Sequence, residues 1–440
     1  MPSNRERKCR PSGIVSIVDY RPRIVDAELD TLLAGLPAVS LEGPKAVGKT
    51  ETALRRARTV HRLDDLGRLE IVRAEPARLV SGAPPILIDE WQRLPASWDL
   101  VRRAVDRDPS PARFLLTGSA APGDAPTHSG AGRIVTVRMR PMALAERAVT
   151  TPTVSLAALL TGARPALGGA THLSLTDYAD EITRSGFPAV RNYSGRLLRT
   201  QLAGYIDRIV EREFVDLGAR VRNAAALRRW LTAYAAATST TASYETIRDA
   251  ASAGESDKPA KTTTHPYRAA LEQLWIIEPL PAWAPTGNRL RRLASAPVHQ
   301  LADPALAARL LGIDTDALLD GAPAGPPMPR DGTLLGALFE SLVTLSVRTY
   351  AQASEARVGH LRTRGGEQEI DLVIERRDGR IVAIEVKLSA TVADADTRHL
   401  RWLADRLGSD LLDAAIITTG REAYRRADGI GVIPAGLLTA

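Results

Sequence analysis

Hydrophobic positions along the first 150 residues fall into short compact runs separated by longer stretches of mixed character. Ala38 to Leu41, Pro85 to Glu90 and Phe114 to Leu116 each read as a strand buried on both faces, because their apolar runs are short and unbroken. Glu51 to Val60, after the first of them, reads as a helix. Short strands alternating with helical runs predict a parallel α/β sheet. Between 175 and 275 the spacing lengthens to three and four, as in Leu202, Tyr205, Ile206 and Ile209, so this region is expected to be mostly helical. Residues 331–440 return to mixed helix and strand.

Three stretches read as connections: Ala121 to Gly132, Thr151 to Ala170, and Asp320 to Gly332. The last (DGAPAGPPMPRDG) is the strongest boundary, since its proline and glycine density sustains neither regular period. The expected division is an α/β unit over 1–160, a helical linker or lid over 161–222, a further unit over 223–319, and a C-terminal domain over 330–440.

Charge narrows the picture. The net charge is +7, yet residues 331–440 hold 14 Lys+Arg against 16 Asp+Glu, which leaves +9 on residues 1–330. Such an excess permits nucleic-acid binding without requiring it. Only six of the 58 basic residues are lysines, so Lys49 and Lys387 stand at positions where a compact ammonium suits the chemistry. One cysteine, Cys9, excludes a disulfide framework and a multi-cysteine zinc site, and the seven histidines lack ligand spacing. No apolar run approaches the ~18 residues of a membrane span, and the polar start of the chain carries no apolar signal segment. The expected compartment is the cytoplasm.

Gly43, Pro44, Lys45, Ala46, Val47, Gly48, Lys49 and Thr50 fit G-x-x-x-x-G-K-[ST] at every fixed position. Such a loop wraps phosphates with its backbone N–H groups; Lys49 reaches the β- and γ-phosphates and Thr50 ligates Mg²⁺. PILIDE ends in two carboxylates, of which Asp89 is expected to hold Mg²⁺ and Glu90 to activate the attacking water. Phe114 to Leu116 leads into Thr117-Gly-Ser119, which places a Ser119 hydroxyl at a γ-phosphate sensor position. The expected cofactors are ATP and Mg²⁺. Phosphoryl transfer also needs a cation at the γ-phosphate; Arg133 is the first candidate, with Arg208 and Arg212 as alternatives.

GPKAVGKT, LIDEWQRLP, FLLTGSA, RPMALAE and SGFPAV, followed by YIDRIVEREF, LADPALAARLLG and GALFESLV, resemble in this order the AAA-like ATPases of bacteria and archaea whose C-terminal part is poorly characterised. The resemblance implies a P-loop ATPase at the N-terminus, with adenine near the leading segment Tyr20 to Arg23, so Arg23 joins the candidate nucleotide contacts. The chain departs from the pattern in lacking a clear second-sensor arginine, which speaks against ring assembly with an arginine supplied in trans.

Residues 225–283 have the order of a winged helix: Leu227 to Ala237, Ser243 to Ala251, a helix from His265 to Trp275 capped by Thr263 or Thr264, and a wing over Ile276 to Trp283. Its expected DNA contacts are Lys258, Lys261, Thr264, His265 and Arg268.

Farther on, Glu340 lies in an amphipathic helix, Asp371 leads one apolar strand, and Glu385 and Lys387 share one face of the next. Glu340, Asp371 and Glu385 can hold one or two Mg²⁺, and Lys387 can align a water against a phosphodiester. Asp371, Glu385 and Lys387 fall on the signature positions of the restriction-endonuclease-like (PD-(D/E)xK) core, which this segment resembles. The expected fold is therefore α/β: a P-loop NTPase (AAA-like) parallel sheet, a winged-helix-like helical region, and a mixed α/β restriction-endonuclease-like domain. The leading function is a Mg²⁺-dependent ATPase whose nucleotide state controls a DNA-binding middle module and a nuclease-like domain. The alternative is a non-cleaving nucleotide-switched regulator that binds DNA or a protein partner, in the setting of a toxin–antitoxin or defence system. No membrane partner is expected.

Overall fold

Strands β1 (Ala38–Glu42), β2 (Thr59–Arg62), β3 (Ile86–Asp89), β4 (Phe114–Gly118) and β5 (Val135–Arg138) form one parallel sheet in the order β2-β3-β4-β1-β5. The computed structural model describes residues 20–119, 130–214, 224–252, 261–283, 296–321, 326 and 332–440. Side chains alternate between two cores. Ala38, Ile86, Ile88, Phe114 and Leu116 pack on helices Leu66–Ala74 and Ala96–Arg107, while Val39, Leu41, Leu87, Leu115 and Val137 face helix Val25–Gly35. Burial on both faces is why these strands are apolar throughout.

Strand β2 corrects the sequence reading. The helix after the glycine loop ends at Leu54, and Thr59 to Arg62 pair with Ile86 to Asp89. This edge strand carries His61 and Arg62 and is only partly buried, so no apolar run announces it. Thr151 to Ala170, read as a connection, contains β6 (Val154–Ser155) and helix Leu156–Leu160. Strand β6 pairs in parallel with β13 (Leu438–Thr439), which ties the start of this segment to the last residues of the chain.

Residues 332–440 build a second, mixed sheet from β7 (Arg357–Arg362), β8 (Glu369–Glu375), β9 (Ile381–Val386), β10 (Leu411–Thr418), β11 (Tyr424–Arg425) and β12 (Gly431–Pro434), ordered β11-β12-β10-β9-β8-β7. One face packs on helix Arg398–Leu407; the other joins the main core with helix Leu334–Ala353. Between the sheets lie helices Gly195–Arg208, Ala224–Ala236, Tyr244–Ala251 and Lys261–Gln273. The last begins at Lys261, so Thr264 lies inside its first turn and does not cap it. Ile276 to Trp283 runs extended, with Ile277 and Leu280 paired antiparallel to Leu301 and Val298.

Two buried polar knots fasten these parts. Asp303 accepts from Ser185 Oγ at 2.8 Å and Gly186 N at 2.5 Å, so the SGFPAV and LADP segments meet directly. Glu278 is enclosed by Arg138 (2.9 Å), Arg140 (2.8 Å) and Arg348 (3.6 Å), drawn from β5, the turn after it and helix Leu334–Ala353. Burial alone would raise the Glu278 carboxyl, but the three arginines overrule it and hold it far below the usual carboxylate range. Among the described residues no helix is long and apolar enough to cross a membrane.

Removing the Glu278 charge strands three largely desolvated arginines. Glu278→Gln is therefore expected to cost about 3–5 kcal/mol at neutral pH in chemical denaturation. A carboxyl with a lowered folded pKa stabilises above its unfolded value of roughly 4.3 and loses that contribution as pH falls further. The gap between wild type and variant should accordingly narrow in acid.

Candidate functional site

The glycine loop joins β1 to helix Lys49–Leu54 at the C-terminal edge of the first sheet. Gly43 and Gly48 take φ of +154° and +101°, and a Cβ on Gly43 would stand 2.1 Å from the Met139 carbonyl oxygen. No side chain fits there, because β5 runs directly beside the loop. Lys49 Nζ, buried, donates to the Gly43 and Pro44 carbonyls at 2.9 and 2.8 Å. Burial pushes its amine down to about 8, against the pull of Glu90 and Asp89.

Thr50 Oγ1 donates to Asp89 Oδ1 at 2.8 Å, and the Thr117 hydroxyl donates to the same oxygen. Two hard oxygen donors side by side, with a third fixing the carboxylate, are the donor set Mg²⁺ prefers. Glu90 sits in the left-handed region (φ 57°), which turns its carboxylate out of the strand. There it accepts from Gln92 Nε2 at 2.6 Å, and Gln92 also reaches Ser119 Oγ at 3.4 Å. Gln92 thus joins the expected water-activating carboxylate to the expected sensor. The sequence reading passed over it, since glutamine after a carboxylate pair carries no pattern of its own.

Two expected contacts are engaged elsewhere in the fold. Arg23 is buried and its guanidinium is engaged within the fold: its Nη1 donates to the Val47 carbonyl at 2.8 Å and its Nε to Glu146 at 3.1 Å, so it braces the loop from behind. Arg133 pairs with Asp106 at 2.8 Å. Both stand where the strands begin, across the sheet from the loop, so Arg133 does not reach the phosphate side. Arg208 and Arg212, the alternatives, instead line a cavity of about 320 Å³ with Lys45, Ala46 and Ser119. Lys45 pairs with Glu213 at 2.5 Å. Arg93, missed from sequence, lines this cavity and a second one bounded by Thr50, Asp89 and Glu90.

In the second sheet Asp371 lies one position beyond the Leu372–Ile384 pair, opposite Glu385. Asp371 accepts from the Val386 N–H at 2.7 Å, and Lys387 Nζ lies 3.2 Å from Glu385. Glu385 is 2% exposed, and its Oε1 has no partner. Burial, Asp371 and Glu369 together push the Glu340 carboxyl well above its ordinary range, and burial with Asp371 does the same to Glu385. Helix and strands thus bring Glu340, Asp371, Glu385 and Lys387 into one neighbourhood. Glu369 belongs to it as well, although the sequence reading assigned it no role. Among the described residues no group of three acidic, His or Cys side chains closes into a ready metal cage.

In the middle region Arg268 stacks over the Tyr244 ring at 4.7 Å and pairs with Glu272 at 3.4 Å. With Thr264 and His265 it lines a concavity against Trp230 and Tyr244 rather than a projecting edge. Arg268 is therefore engaged within the fold and does not stand free for a phosphate. Lys258 and the Lys261 side chain lie outside the described residues.

Residues 36–148 match the family model of an AAA domain, over the segment that holds the glycine loop and the first sheet. Residues 175–317 and 335–438 match two domains of unknown function, DUF8612 and DUF4143. Uncharacterised proteins of Mycobacterium bovis and Mycobacterium tuberculosis are each 28% identical over 432 residues, covering 97% of this chain and 86% of theirs. Among solved structures, a Walker-type ATPase of Pyrococcus abyssi overlaps 65% of this chain and 94% of its own (16% identity, TM-score 0.38). The ORC2 protein of Aeropyrum pernix overlaps 69% and 96% (14% identity, TM-score 0.30). Neither overlap reaches the level from which a shared fold follows.

Crowded carboxylates repel when no cation lies between them. In metal-free protein Glu385→Gln should therefore raise stability, as read by chemical denaturation. Added Mg²⁺ or Mn²⁺ should raise the melting temperature of wild type by more than that of the variant, as read by calorimetry.

Proposed function

We propose that the chain is a Mg²⁺-dependent ATPase whose nucleotide state controls the middle helical module and the C-terminal carboxylate–lysine domain. One observation carries the reading: Lys49, Thr50, Asp89, Glu90, Thr117 and Ser119 converge from three neighbouring strands at one sheet edge. In this reading Lys49 takes the phosphate charge, and Thr50 with Asp89 holds Mg²⁺, whose role is to neutralise charge between the β- and γ-phosphates. Glu90, steadied by Gln92, accepts the proton of the attacking water. Ser119, on the same glutamine, reports whether a γ-phosphate is present.

The second half of the proposal is a nuclease-like domain. Glu340, Asp371 and Glu385 would hold divalent cations, which supply Lewis acidity and an activated water when bound. Lys387 would orient that water against the phosphodiester. The unpartnered Glu385 Oε1 in a buried acidic group supports this use, since a buried carboxylate oxygen without a hydrogen-bond partner is otherwise costly. The middle module is read as a winged helix that would bring DNA to the chain.

A specific observation favours the alternative of a nucleotide-switched regulator that cuts nothing. Arg268 and its neighbours are folded into a concavity, and the acidic group has no closed metal cage among the described residues. Here the nucleotide would govern contact with DNA or a protein partner.

Purified protein with Mg²⁺ or Mn²⁺ on single- and double-stranded DNA and RNA separates the two. The nuclease reading expects cleavage that Asp371→Ala and Lys387→Ala each abolish while ATP turnover stays within twofold. Lys49→Ala is expected to remove ATP turnover by at least ~100-fold. Cleavage that is absent, or indifferent to both C-terminal variants, leaves the regulator.

A further inference from the structure

The cavity between the glycine loop and helix Gly195–Arg208 has an unbalanced lining. Lys45, Arg93, Arg208 and Arg212 face it, against a single acid, Glu213. Glu213 is already taken by Lys45 at 2.5 Å. Arg93, Arg208 and Arg212 are exposed, and none of their guanidinium groups has an ion-pair or hydrogen-bond partner among the described residues. That contrasts with Arg23, Arg133, Arg138, Arg140 and Arg147, each of which is matched to a carboxylate. Three free planar cations around one space, beside Ser119, describe a receptor for a multiply charged oxyanion.

The local backbone points the same way. Helix Gly195–Arg208 continues into a π-helical turn over Ile209–Glu213. Such wide turns are uncommon and recur at functional sites. Arg208 and Arg212 stand four residues apart on this helix, where like charges repel unless an anion lies between them. Tyr205 fastens the helix to the loop by donating to the Lys45 carbonyl at 3.2 Å. Arg93 reaches the same space from the other side: Glu90 in the left-handed region begins the short turn Trp91–Arg93, which carries the guanidinium out beside the loop.

We propose that Arg93, Arg208 and Arg212 form a clamp supplied in cis that grips the γ-phosphate of ATP, so that one chain completes its own catalytic site. The proposal rests on the reading of the glycine loop as an ATP cradle and goes beyond it by naming the transition-state cations. Lys45, freed from Glu213 by the incoming phosphate, faces the same anion. In the hydrolytic step the water oxygen bonds to the γ-phosphorus and the bond to the bridging oxygen breaks. The water proton passes to Glu90, ADP leaves with the bridging-oxygen electrons, and the three guanidinium groups meet the charge that builds on the equatorial oxygens. ADP lacks the group they grip. The chain should therefore prefer ATP over ADP through these residues, and a neighbouring copy need contribute nothing.

The test uses the full chain with arginines 93, 208 and 212 replaced together by glutamine, and a second variant with all three replaced by lysine. Calorimetry in a Glu90→Gln background, where ATP is not consumed, should show the glutamine variant losing at least ~10-fold in ATP affinity, with ADP affinity within twofold. The lysine variant should recover part of that preference. Turnover in the otherwise native chain should fall by about 10³ with glutamine. Mixing Glu90→Gln chains with arginine-deficient chains should restore no hydrolysis, because each chain must hold both the base and the cations. Recovery on mixing, or an ATP preference equal in the native-arginine and glutamine chains, overturns the clamp and leaves the cradle standing. Binding of neither nucleotide by well-folded wild type overturns the cradle and the clamp with it.

Discussion

The Arg23 guanidinium is the constraint on which the rest of this architecture turns. It is buried, and every nitrogen that can donate is spent: on the Val47 carbonyl within the glycine loop, on both oxygens of Glu146, and on the Arg140 carbonyl. A glycine loop is soft by nature, since its residues lose more conformational freedom on ordering than any others. Holding it from behind fixes the curve of the backbone before a phosphate arrives. Such pre-organisation lowers the ordering cost that binding would otherwise meet.

The same guanidinium touches the chain at its most connected point. Arg140, whose carbonyl Arg23 holds, sends its own side chain to Glu278 in the extended segment after helix Lys261–Gln273 and to Gln352 in helix Leu334–Ala353. Gln352 in turn donates to the Arg138 carbonyl and to Glu28. A shift of the loop by a fraction of an ångström is therefore felt by an ion cluster shared among three parts of the molecule. Buried clusters of this kind deform in discrete steps rather than continuously, because a half-broken arrangement leaves desolvated charges unmatched. Under the proposed function, this cluster is the route by which nucleotide occupancy would reach the middle module and the helix that carries Glu340.

How much of this was legible beforehand follows from burial. Strands β1, β3 and β4 declared themselves because both faces are covered, and β8 and β9 did so by the same rule. Strand β2 was hidden because an edge strand with His61 and Arg62 has no apolar signature, and its Thr59 and Val60 were absorbed into the helix before it. The loop residues and both carboxylate pairs were legible from spacing, since their chemistry depends on neighbours in sequence. Of the arginines around the loop cavity, Arg208 and Arg212 were named only as alternatives and Arg93 was not named at all. Arg133 looked eligible because it follows the 121–132 connection, and Arg23 because the family resemblance implied adenine beside it, yet which edge of the sheet a residue occupies depends on strand direction and order. Arg93 and Gln92 sit beside the motif but act through a turn set by the unusual backbone of Glu90. No composition or period reports such a turn.

The most direct test of the account is hydrogen–deuterium exchange of the full chain with and without saturating Mg·ATP. A cradle wired through Arg23 and Arg140 predicts slowed exchange in the loop at 43–50 together with slowed exchange at 278–283 and 334–353, which do not line the phosphate cavity. Protection confined to the loop would contradict the account, because the loop would then bind its phosphates without moving the ion cluster behind it.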